Sequence, residues 1–326
     1  MRTNIRTVAV TAVGLVVATL IVVTAGRHFQ RTDEAIGPPH SAATAPPPRL
    51  SYLGVYEPAS PASYSGVDEF AQLIGRSPNI AVYYSSWWEP FQLAFARAAV
   101  AHQAIPMVQI EPRDVSLAAI AAGRYDAYLR TYAGAVRSLG QPVILSFGHE
   151  MNADWYGWGY RHTSPAVFVA AWRHIYNLFA AAGTDNVKWL WTVNVVPGPQ
   201  VSAIKAWWPG AAYVTWIGID GHYFQAPVRF AGLFGATLGQ VRALSRQPVL
   251  IAETGIAPFV STERITDLFA GAQAHGLLGV VWFDVKGHNL RVENDPAAIA
   301  AFKLAVGDYL TRDTGGRNSG AVPASH

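Results

Sequence analysis

Residues 143–150 read Val-Ile-Leu-Ser-Phe-Gly-His-Glu, a mostly apolar run that ends on a glycine, a histidine and a single carboxylate. A helical stretch follows, in which Ser164-Pro165 provides the cap and first-turn proline and Gly183 the stop. Between them, apolar residues recur at steps of four, three and four, the spacing of one buried helix face. These residues are Phe168, Trp172, Ile175 and Phe179. The stretch predicts a buried strand followed by an amphipathic helix.

The same unit of an apolar run followed by a helical stretch recurs along the chain. The eight predicted strands are Ser51–Tyr56, Ile80–Ser85, Pro106–Ile110, Val143–Phe147, Lys188–Val193, Val214–Ile219, Pro248–Ala252 and Gly279–Phe283. Leu117–Leu139 and Pro296–Leu310 are further predicted helices. Near-continuous apolar strands that alternate with helices are typical of a parallel sheet covered on both faces. Eight units predict an α/β fold, a single (β/α)8 TIM barrel. A doubly wound open sheet is the alternative, but no Gly-rich phosphate loop follows the first strand.

The composition is that of a chain with a large core. Of the 326 residues, 51% are hydrophobic and 14% are charged, the opposite of the balance found in disordered chains. The absence of cysteine excludes disulfides, thiolate metal sites and a cysteine nucleophile. The net charge of +3 comes without a basic run, so we expect no nucleic-acid partner.

The two ends of the chain differ from its centre. Residues 7–26 carry no charge and follow Arg2 and Arg6. We therefore predict that residues 1–26 form an uncleaved membrane anchor, with a cleaved signal peptide as the alternative. Basic residues before the span place the rest of the chain outside the cytoplasm, anchored to the membrane or secreted. Residues 27–49 are predicted to be a Pro-rich linker, 50–311 the barrel and 312–326 a disordered tail.

Two predicted strands end on a single glutamate. Glu150 follows the fourth strand and Glu253 the seventh. A closed parallel barrel brings its strand ends to one mouth, so we expect both carboxyl groups there. Two carboxyls are what glycosidic bond cleavage requires: a protonated acid for the leaving oxygen and an ionised partner at the anomeric carbon. The alternative is a structural role, in which each glutamate pairs with an arginine or caps a helix.

Other chemistries find little support in the sequence. His149-Glu150 lacks the second histidine of a zinc-protease motif, because position 153 is alanine. The ten histidines show no other ligand cluster, and no Gly-x-Ser-x-Gly elbow is present. We therefore expect no metal and no cofactor.

Residues 149–159 read His-Glu-Met-Asn-Ala-Asp-Trp-Tyr-Gly-Trp-Gly. This stretch closely resembles the acid/base signature of glycoside hydrolase family 26, whose (β/α)8 retaining enzymes include β-mannanases and some β-glucanases and xylanases. The resemblance spans most of residues 50–310 and includes a Trp-Trp-x-Pro-Phe stretch at Trp87–Phe91. It implies that Glu150 is the general acid/base and Glu253 the nucleophile. It further implies that His149 hydrogen-bonds near the nucleophile and the sugar, and that Trp155 stacks under a sugar ring, with Trp158 of the same motif as a further substrate-binding residue.

The chain departs from the family pattern at two places. Ala153 stands where the family usually has glycine. The family often has Asp-x-Tyr after the sixth strand, with the tyrosine hydroxyl on the nucleophile, whereas this chain reads Asp220-Gly221-His222-Tyr223. Either His222 or Tyr223 would fill that role.

Four more residues at strand ends are candidate substrate contacts. Trp282 would form the floor of the pocket and Trp88 would extend the cleft, because aromatic faces suit the apolar face of a pyranose. Glu111 and Asn194 would bind sugar hydroxyls. For each tryptophan the alternative is core packing, and for each polar residue it is satisfaction of loop backbone groups.

The sequence thus favours a retaining endo-β-glycosidase that acts by double displacement on an extracellular β-linked polysaccharide. The resemblance implies β-mannan as the first expected substrate and β-1,3/1,4-glucan as the second, and transglycosylation stays open beside hydrolysis. The rival hypothesis is a non-catalytic glycan-binding barrel that serves surface polysaccharide assembly. We expect a monomer, in contact with the membrane only through the N-terminal segment.

Overall fold

The computed structural model describes residues 48–196, 201–224, 228–257, 261–285 and 290–311. Its strands are β1 (Tyr52–Tyr56), β2 (Ile80–Ser86), β3 (Ile105–Glu111), β4 (Val143–Phe147), β5 (Val187–Asn194), β6 (Trp216–Asp220), β7 (Val249–Thr254) and β8 (Gly279–Phe283). Each strand pairs in parallel with the next, and β8 pairs with β1 to close the barrel. The predicted (β/α)8 barrel is confirmed.

The helices lie between the strands. They are α1 (Ser65–Ile74), α2 (Leu93–Ala101), α3 (Leu117–Ala121), α4 (Asp126–Ser138), α5 (Pro165–Ala181), α6 (Phe230–Leu244), α7 (Thr262–Ala274) and α8 (Pro296–Tyr309). Short 3₁₀ turns at Ile204–Trp207 and Ala211–Tyr213 stand between β5 and β6, where the described residues form no α-helix. Two helices, α3 and α4, separate β3 from β4.

Local sequence explains where the helices begin and end. Ser164 accepts a hydrogen bond from the backbone N–H of Val167, Pro165 occupies the first turn, and Gly183 follows the end of α5 in a left-handed conformation. The single helix predicted over Leu117–Leu139 is wrong, since it divides into α3 and α4. The break includes Gly123, whose φ of +77° does not fit a continuous helix.

The barrel interior is filled by its own apolar cluster. This cluster takes residues from the strands and none from the helices, so its side chains point inward. Its buried members are Ile80, Val82, Met107, Ile144, Leu190, Trp216, Leu250, Ala252 and Val281. Side chains alternate in direction along a strand, so every second residue after a member of this cluster also faces the barrel interior.

A polar layer lies above this cluster, toward the carboxyl ends of the strands. Gln109, Ser146, Thr192 and Asp220 share the inward parity of the apolar residues below them and are fully buried. Ser146 Oγ and Thr192 Oγ1 lie 3.3 Å apart. The change from apolar to polar side chains marks the floor of the barrel mouth.

Some sequence predictions lie outside the described residues. These include the anchor or signal segment (1–26), most of the linker and the tail (312–326). Among the helices that are described, none has the length and hydropathy needed to span a bilayer.

The packing around Gly218 on β6 leaves no space for a side chain at this position. A Cβ at this position would lie 2.5 Å from Thr192 Oγ1 and 2.9 Å from Ala252 Cβ. We expect Gly218→Ala to lower the free energy of unfolding by about 1–3 kcal/mol, because the polar layer would be overpacked. Urea denaturation monitored by tryptophan fluorescence measures this.

The control is Gly239→Ala in α6, where a Cβ meets no atom within 4 Å. This change should raise stability by roughly 0.5–1 kcal/mol through helix propensity. Equal effects of the two substitutions would contradict the packing argument.

Candidate active site

Glu150 is aimed into the mouth by an unusual backbone. Gly148 and Glu150 have φ values of +54° and +53°. A Cβ at Gly148 would also lie 3.1 Å from the ring of Phe168. Glycine is therefore required at this position for two reasons, its positive φ and the close approach of this ring. A non-glycine residue in the left-handed region costs free energy and is typical of functional sites. The Glu150 N–H is held by the carbonyl of Thr192 at 2.9 Å.

Glu253 is aimed by a β-bulge. Ile219 pairs with Ile251, but the next residue of β6, Asp220, pairs with Glu253, so Ala252 is one residue in excess. The pairing of β7 with β8 shifts in the same place. Ala252 faces the barrel interior, and regular alternation would send Glu253 outward. The bulge instead turns this carboxyl toward the mouth.

The carboxyl of Glu150 is buried and accepts two hydrogen bonds. Trp155 Nε1 donates to Oε2 at 2.6 Å, and Asn194 Nδ2 donates to Oε1 at 2.6 Å. Burial and then the charge of Glu253 raise the pKa of Glu150 to about 7, against the two donors, which lower it. Glu150 is therefore a carboxylic acid that can hold its proton near neutral pH.

Asn194 is itself held in place by Asn152. The Asn152 side chain donates to the Asn194 carbonyl at 2.9 Å and accepts from the Asn194 N–H at 2.8 Å. This pair of bonds fixes the end of β5 relative to the β4 loop. The predicted residue Asn194 thus lies at the site and contacts Glu150.

The carboxyl of Glu253 has different neighbours. His222 Nε2 lies 2.9 Å from Oε1, and the Tyr84 hydroxyl donates to Oε2. Burial opposes ionisation, but the hydrogen bond and charge of His222, with the Tyr84 hydroxyl, hold the pKa of Glu253 below its ordinary value. Glu253 is therefore the ionised member of the pair.

The structure decides between His222 and Tyr223. His222 reaches the carboxyl of Glu253, whereas the Tyr223 ring is fully buried beside Phe234 of α6. The Tyr223 hydroxyl has no hydrogen-bond partner among the residues that the structure describes. Successive residues point to opposite sides of an extended chain, so only one of the two can face the mouth. Tyr223 as a substrate contact is corrected accordingly.

Asp220 is a third carboxyl beside the pair. It is fully buried, and neither of its oxygens has a hydrogen-bond partner among the described residues. Burial, followed by the charges of Glu253 and Glu150, raises the pKa of Asp220 well above its ordinary value. Asp220 is thus kept neutral and leaves Glu253 as the ionised carboxylate at the mouth.

His149 lies between the aromatic residues of the mouth. Its Nε2 is 3.3 Å from the Tyr156 hydroxyl, and its ring is 5.5 Å from that of Tyr84. Burial lowers the pKa of His149, against the charges of Glu253 and Glu111. The imidazole is therefore uncharged at neutral pH, and its buried Nδ1 has no partner within the described residues.

Glu111 is at the mouth but is already paired. Arg113 binds both of its oxygens, at 2.7 and 2.8 Å. Arg113 also lies 5.9 and 5.8 Å from the ring centroids of Tyr156 and Trp158. The prediction that Glu111 binds sugar hydroxyls is therefore not supported, because its carboxylate already accepts two hydrogen bonds from a neighbouring residue.

The four predicted tryptophans divide into two exposed and two buried ones. Trp88 is 59% exposed and Trp155 46% exposed, so both offer ring surface to a ligand. Trp158 is buried, stacks on Tyr156 and donates its N–H to the His149 carbonyl at 2.8 Å. It supports the loop instead of facing a sugar, so its prediction as a contact is corrected.

Trp282 does not form the floor of the pocket. It is fully buried, lies 5.3 Å edge-on to Phe302 of α8 and donates to Asp284 at 3.3 Å. Val281 faces the barrel interior, so its successor must face the helices and Phe283 faces inward again. Phe283 stacks on Tyr56 at 5.0 Å and takes the place predicted for Trp282.

Several residues of the site were not predicted from the sequence. These are Tyr56, Tyr84, Tyr156 and Phe283. The signal was present for Tyr84, because it follows the inward-facing Val82 by two positions on a predicted strand. Its bond to Glu253 depends on the tertiary fold, since the two residues are 169 positions apart.

Within the described ranges, no three His, Asp or Glu side chains are grouped as a metal ion would require. The expectation that the protein uses no metal and no cofactor stays a prediction.

The sequence and the fold resemble those of known glycoside hydrolases. Residues 118–262 match the family model of glycosyl hydrolase family 26. Endoglucanase H of Acetivibrio thermocellus is 28% identical over 263 residues, which are 75% of this chain and 29% of that protein. The chain thus spans less than a third of the length of this relative.

Two mannanase structures have the same fold. The Bacillus subtilis mannanase BCman aligns with a TM-score of 0.61 at 17% identity, covering 82% of this chain and 87% of that one. An endo-β-1,4-mannanase double mutant of Cellulomonas fimi aligns with a TM-score of 0.64 at 15% identity, covering 80% and 72%. With the family match, these similarities confirm the resemblance seen in residues 149–159. The chain is thus similar to glycosyl hydrolase family 26 over residues 118–262, and its barrel has the fold of the two mannanase structures.

The contacts of Glu253 predict how its ionisation responds to substitution. Tyr84→Phe and His222→Gln each remove a group that stabilises the carboxylate, so each should raise the pKa of Glu253. A ¹³C NMR titration of labelled glutamate side chains measures this.

Tyr128→Phe is the control, because the Tyr128 hydroxyl bonds to the Glu89 carbonyl and does not contact Glu253. It should leave the titration of Glu253 unchanged. An unaltered titration in both site variants would contradict the contacts described here.

Proposed function

We propose that this protein is a retaining endo-β-glycosidase that hydrolyses a β-linked polysaccharide by double displacement. One observation carries the proposal: the carboxyls at the ends of β4 and β7 share the barrel mouth, and their surroundings shift their pKa values in opposite directions. Such a pair supplies an acid and an ionised nucleophile at the same pH.

In the first step, Glu253 attacks the anomeric carbon. A bond forms between a carboxylate oxygen and that carbon while the bond to the glycosidic oxygen breaks. Glu150 gives its proton to the departing oxygen, so the leaving sugar is released as an alcohol. The products are a glycosyl-enzyme ester and an ionised Glu150.

In the second step, Glu150 acts as a base. Esterification removes the negative charge of Glu253, which is one cause of the raised pKa of Glu150. Its pKa therefore falls just when the residue must accept a proton from water. The hydroxide adds to the anomeric carbon as the ester bond breaks, and Glu253 regains its charge. Two inversions retain the configuration at this carbon.

The aromatic residues of the mouth fit the two sides of the cleaved bond. Tyr56, Tyr84 and Phe283 lie beside Glu253, where the sugar that becomes esterified must sit. Trp155 is bound to Glu150, so its exposed face suits the leaving sugar. Stacking against the apolar face of a pyranose positions the ring without a charge.

β-Mannan is the first proposed substrate and β-1,3/1,4-glucan the second. The mannanase structures support the first, and Endoglucanase H supports a glucan. Product analysis on both polysaccharides decides between them. Transglycosylation needs only a sugar in place of water in the second step.

We propose that the protein acts outside the cytoplasm, and its expected monomeric state stays a prediction. The support is the uncharged stretch at residues 7–26 behind Arg2 and Arg6, followed by the Pro-rich stretch at 27–49. Cell fractionation tests this, since an anchored form sediments with membranes and a cleaved form is found in the medium.

Substitution of either glutamate by alanine should remove most of the activity. The products formed with added azide should tell the two variants apart. Glu150→Ala should lower kcat by about 10²–10⁴-fold on a glycan, the usual contribution of a general acid. Added azide needs no base and should attack the glycosyl-enzyme to give a β-glycosyl azide. In Glu253→Ala, azide occupies the opposite face and should give the α-product. NMR of the anomeric proton identifies each product.

The matched control is Glu263→Ala, an exposed glutamate at the start of α7. It should cleave at the wild-type rate. A folded Glu253→Ala protein that retains full activity would contradict the role of Glu253 as nucleophile. If the wild type binds glycans without cleaving any, a non-catalytic binding barrel is the correct function.

The pH dependence follows from the two carboxyls. Glu150 must be protonated in the free enzyme, so kcat/KM should fall as pH rises through about 7. Glu253 must be ionised, so kcat/KM should also fall in acid, below the ordinary pKa of a glutamate.

Asn194→Ala removes a donor that lowers the pKa of Glu150. The alkaline limb of the profile should therefore move to higher pH. A shift to lower pH, or none, would argue against Glu150 as the acid.

A further inference from the structure

The end of the barrel opposite the mouth carries an excess of positive charge. This amino-terminal face is formed by the loops that lead into the strands and by the last turns of the helices. Its carboxylates, within the described residues, are Asp185 and Asp308. Its arginines are Arg49, Arg76, Arg137, Arg242 and Arg246.

Most of these arginines are exposed and have no carboxylate partner. Ion pairs in the described part of the chain involve other arginines than Arg49, Arg137, Arg242 and Arg246. Arg49 instead binds the backbone carbonyls of Gly307 and Leu310, and Arg137 binds that of Ala182. The carboxyl end of a helix carries about half an elementary charge, which is felt only within its last turn. The full charge of each guanidinium is therefore not balanced.

The arginines stand around the rim of the face and do not converge on one pocket. Arg49 precedes β1, Arg137 ends α4 before β4, and Arg246 precedes β7. In the closed order of the strands, these positions are two or three strands apart. Charges spread in this way cannot all contact one small anion, whereas a plane of negative charge meets all of them at once.

The mouth has the opposite charge. In the ranges that the structure describes, its loops and strand ends hold four arginines, Arg113, Arg161, Arg229 and Arg291. Its carboxyl groups are Glu57, Glu89, Glu111, Asp114, Glu150, Asp154, Asp220, Glu253, Asp284, Glu293 and Asp295. Burial raises the pKa of three of them, Glu57, Glu150 and Asp220, but the remaining carboxylates still outnumber the arginines. A negatively charged surface therefore attracts the amino-terminal face and repels the mouth.

We propose that the amino-terminal face docks on the phosphate headgroups of an anionic phospholipid bilayer, with the mouth turned away from the membrane. Residues 48–51 lead into β1 from this face, and the uncharged stretch at residues 7–26 precedes them in the sequence. The barrel thus adds a second contact to the membrane contact expected of the N-terminal segment. This inference does not rest on the glycosidase function.

The absence of cysteine allows a dye to be placed at one chosen position of the full chain. Gln141→Cys places it on the amino-terminal face, between α4 and β4, and Ala59→Cys places it in the loop after β1 at the mouth. The labelled chain is combined with vesicles whose headgroups carry a nitroxide quencher. With about 30% phosphatidylglycerol, we expect quenching of the dye at position 141 and none at position 59. About 1 M salt should abolish the quenching, because the Debye length falls to ~3 Å.

The charge of the face is tested by Arg242→Glu/Arg246→Glu. Each cation near an anionic bilayer is worth about fivefold in binding, so the ratio of quenched to unquenched dye at position 141 should fall about tenfold or more. The matched control is Arg97→Glu/Arg124→Glu, which changes the net charge equally at two exposed arginines outside the face, in α2 and before α4. It should leave the ratio unchanged.

Three results would overturn the proposal. One is equal quenching at position 141 on phosphatidylglycerol vesicles and on vesicles of phosphatidylcholine alone, which would show contact without recognition of charge. Another is the absence of quenching at position 141 on either lipid. The third is an equal loss of quenching in the two double variants, since net charge and not the amino-terminal face would then govern the contact.

Discussion

The electrostatic interaction between Glu150 and Glu253 is the feature on which the site depends. Two carboxyls buried in one mouth do not both ionise readily, so their surroundings decide which of them keeps a proton. His222 and Tyr84 stabilise the charge of Glu253, and that charge in turn helps to keep Glu150 protonated. Because esterification would cancel the charge, a single interaction would set the role of Glu150 in both steps.

The two carboxyls are positioned by irregular backbone conformations. Glu150 has a left-handed conformation, and an extra residue in β7 turns Glu253 toward the mouth. Both departures from regular geometry cost free energy that the remaining barrel must supply. The closed sheet and its apolar filling supply the rigidity, so strain is confined to the strand ends where it serves the site.

Side chains that touch no substrate complete the site. Asn152 holds Asn194, which binds Glu150, and Trp158 holds the carbonyl of His149. Glu111 binds the guanidinium of Arg113 through both of its oxygens. These contacts explain why several polar and aromatic residues predicted to meet a sugar are buried: they fix the residues that remain exposed.

The sequence by itself determined the eight-stranded barrel and the strand ends that carry the carboxyls, because apolar runs and helical periodicity are local patterns. It also pointed to residues 149–159 and thereby to the resemblance to glycoside hydrolase family 26. Only the tertiary structure decided which neighbour serves each carboxyl. His222 rather than Tyr223, and Phe283 rather than Trp282, faces the mouth, because side chains alternate in direction along a strand. This alternation shifts at every bulge, so the sequence alone did not decide it. The inward position of Tyr84 could be read from strand alternation, but its contact with Glu253 could not, because it joins strands that are distant along the chain.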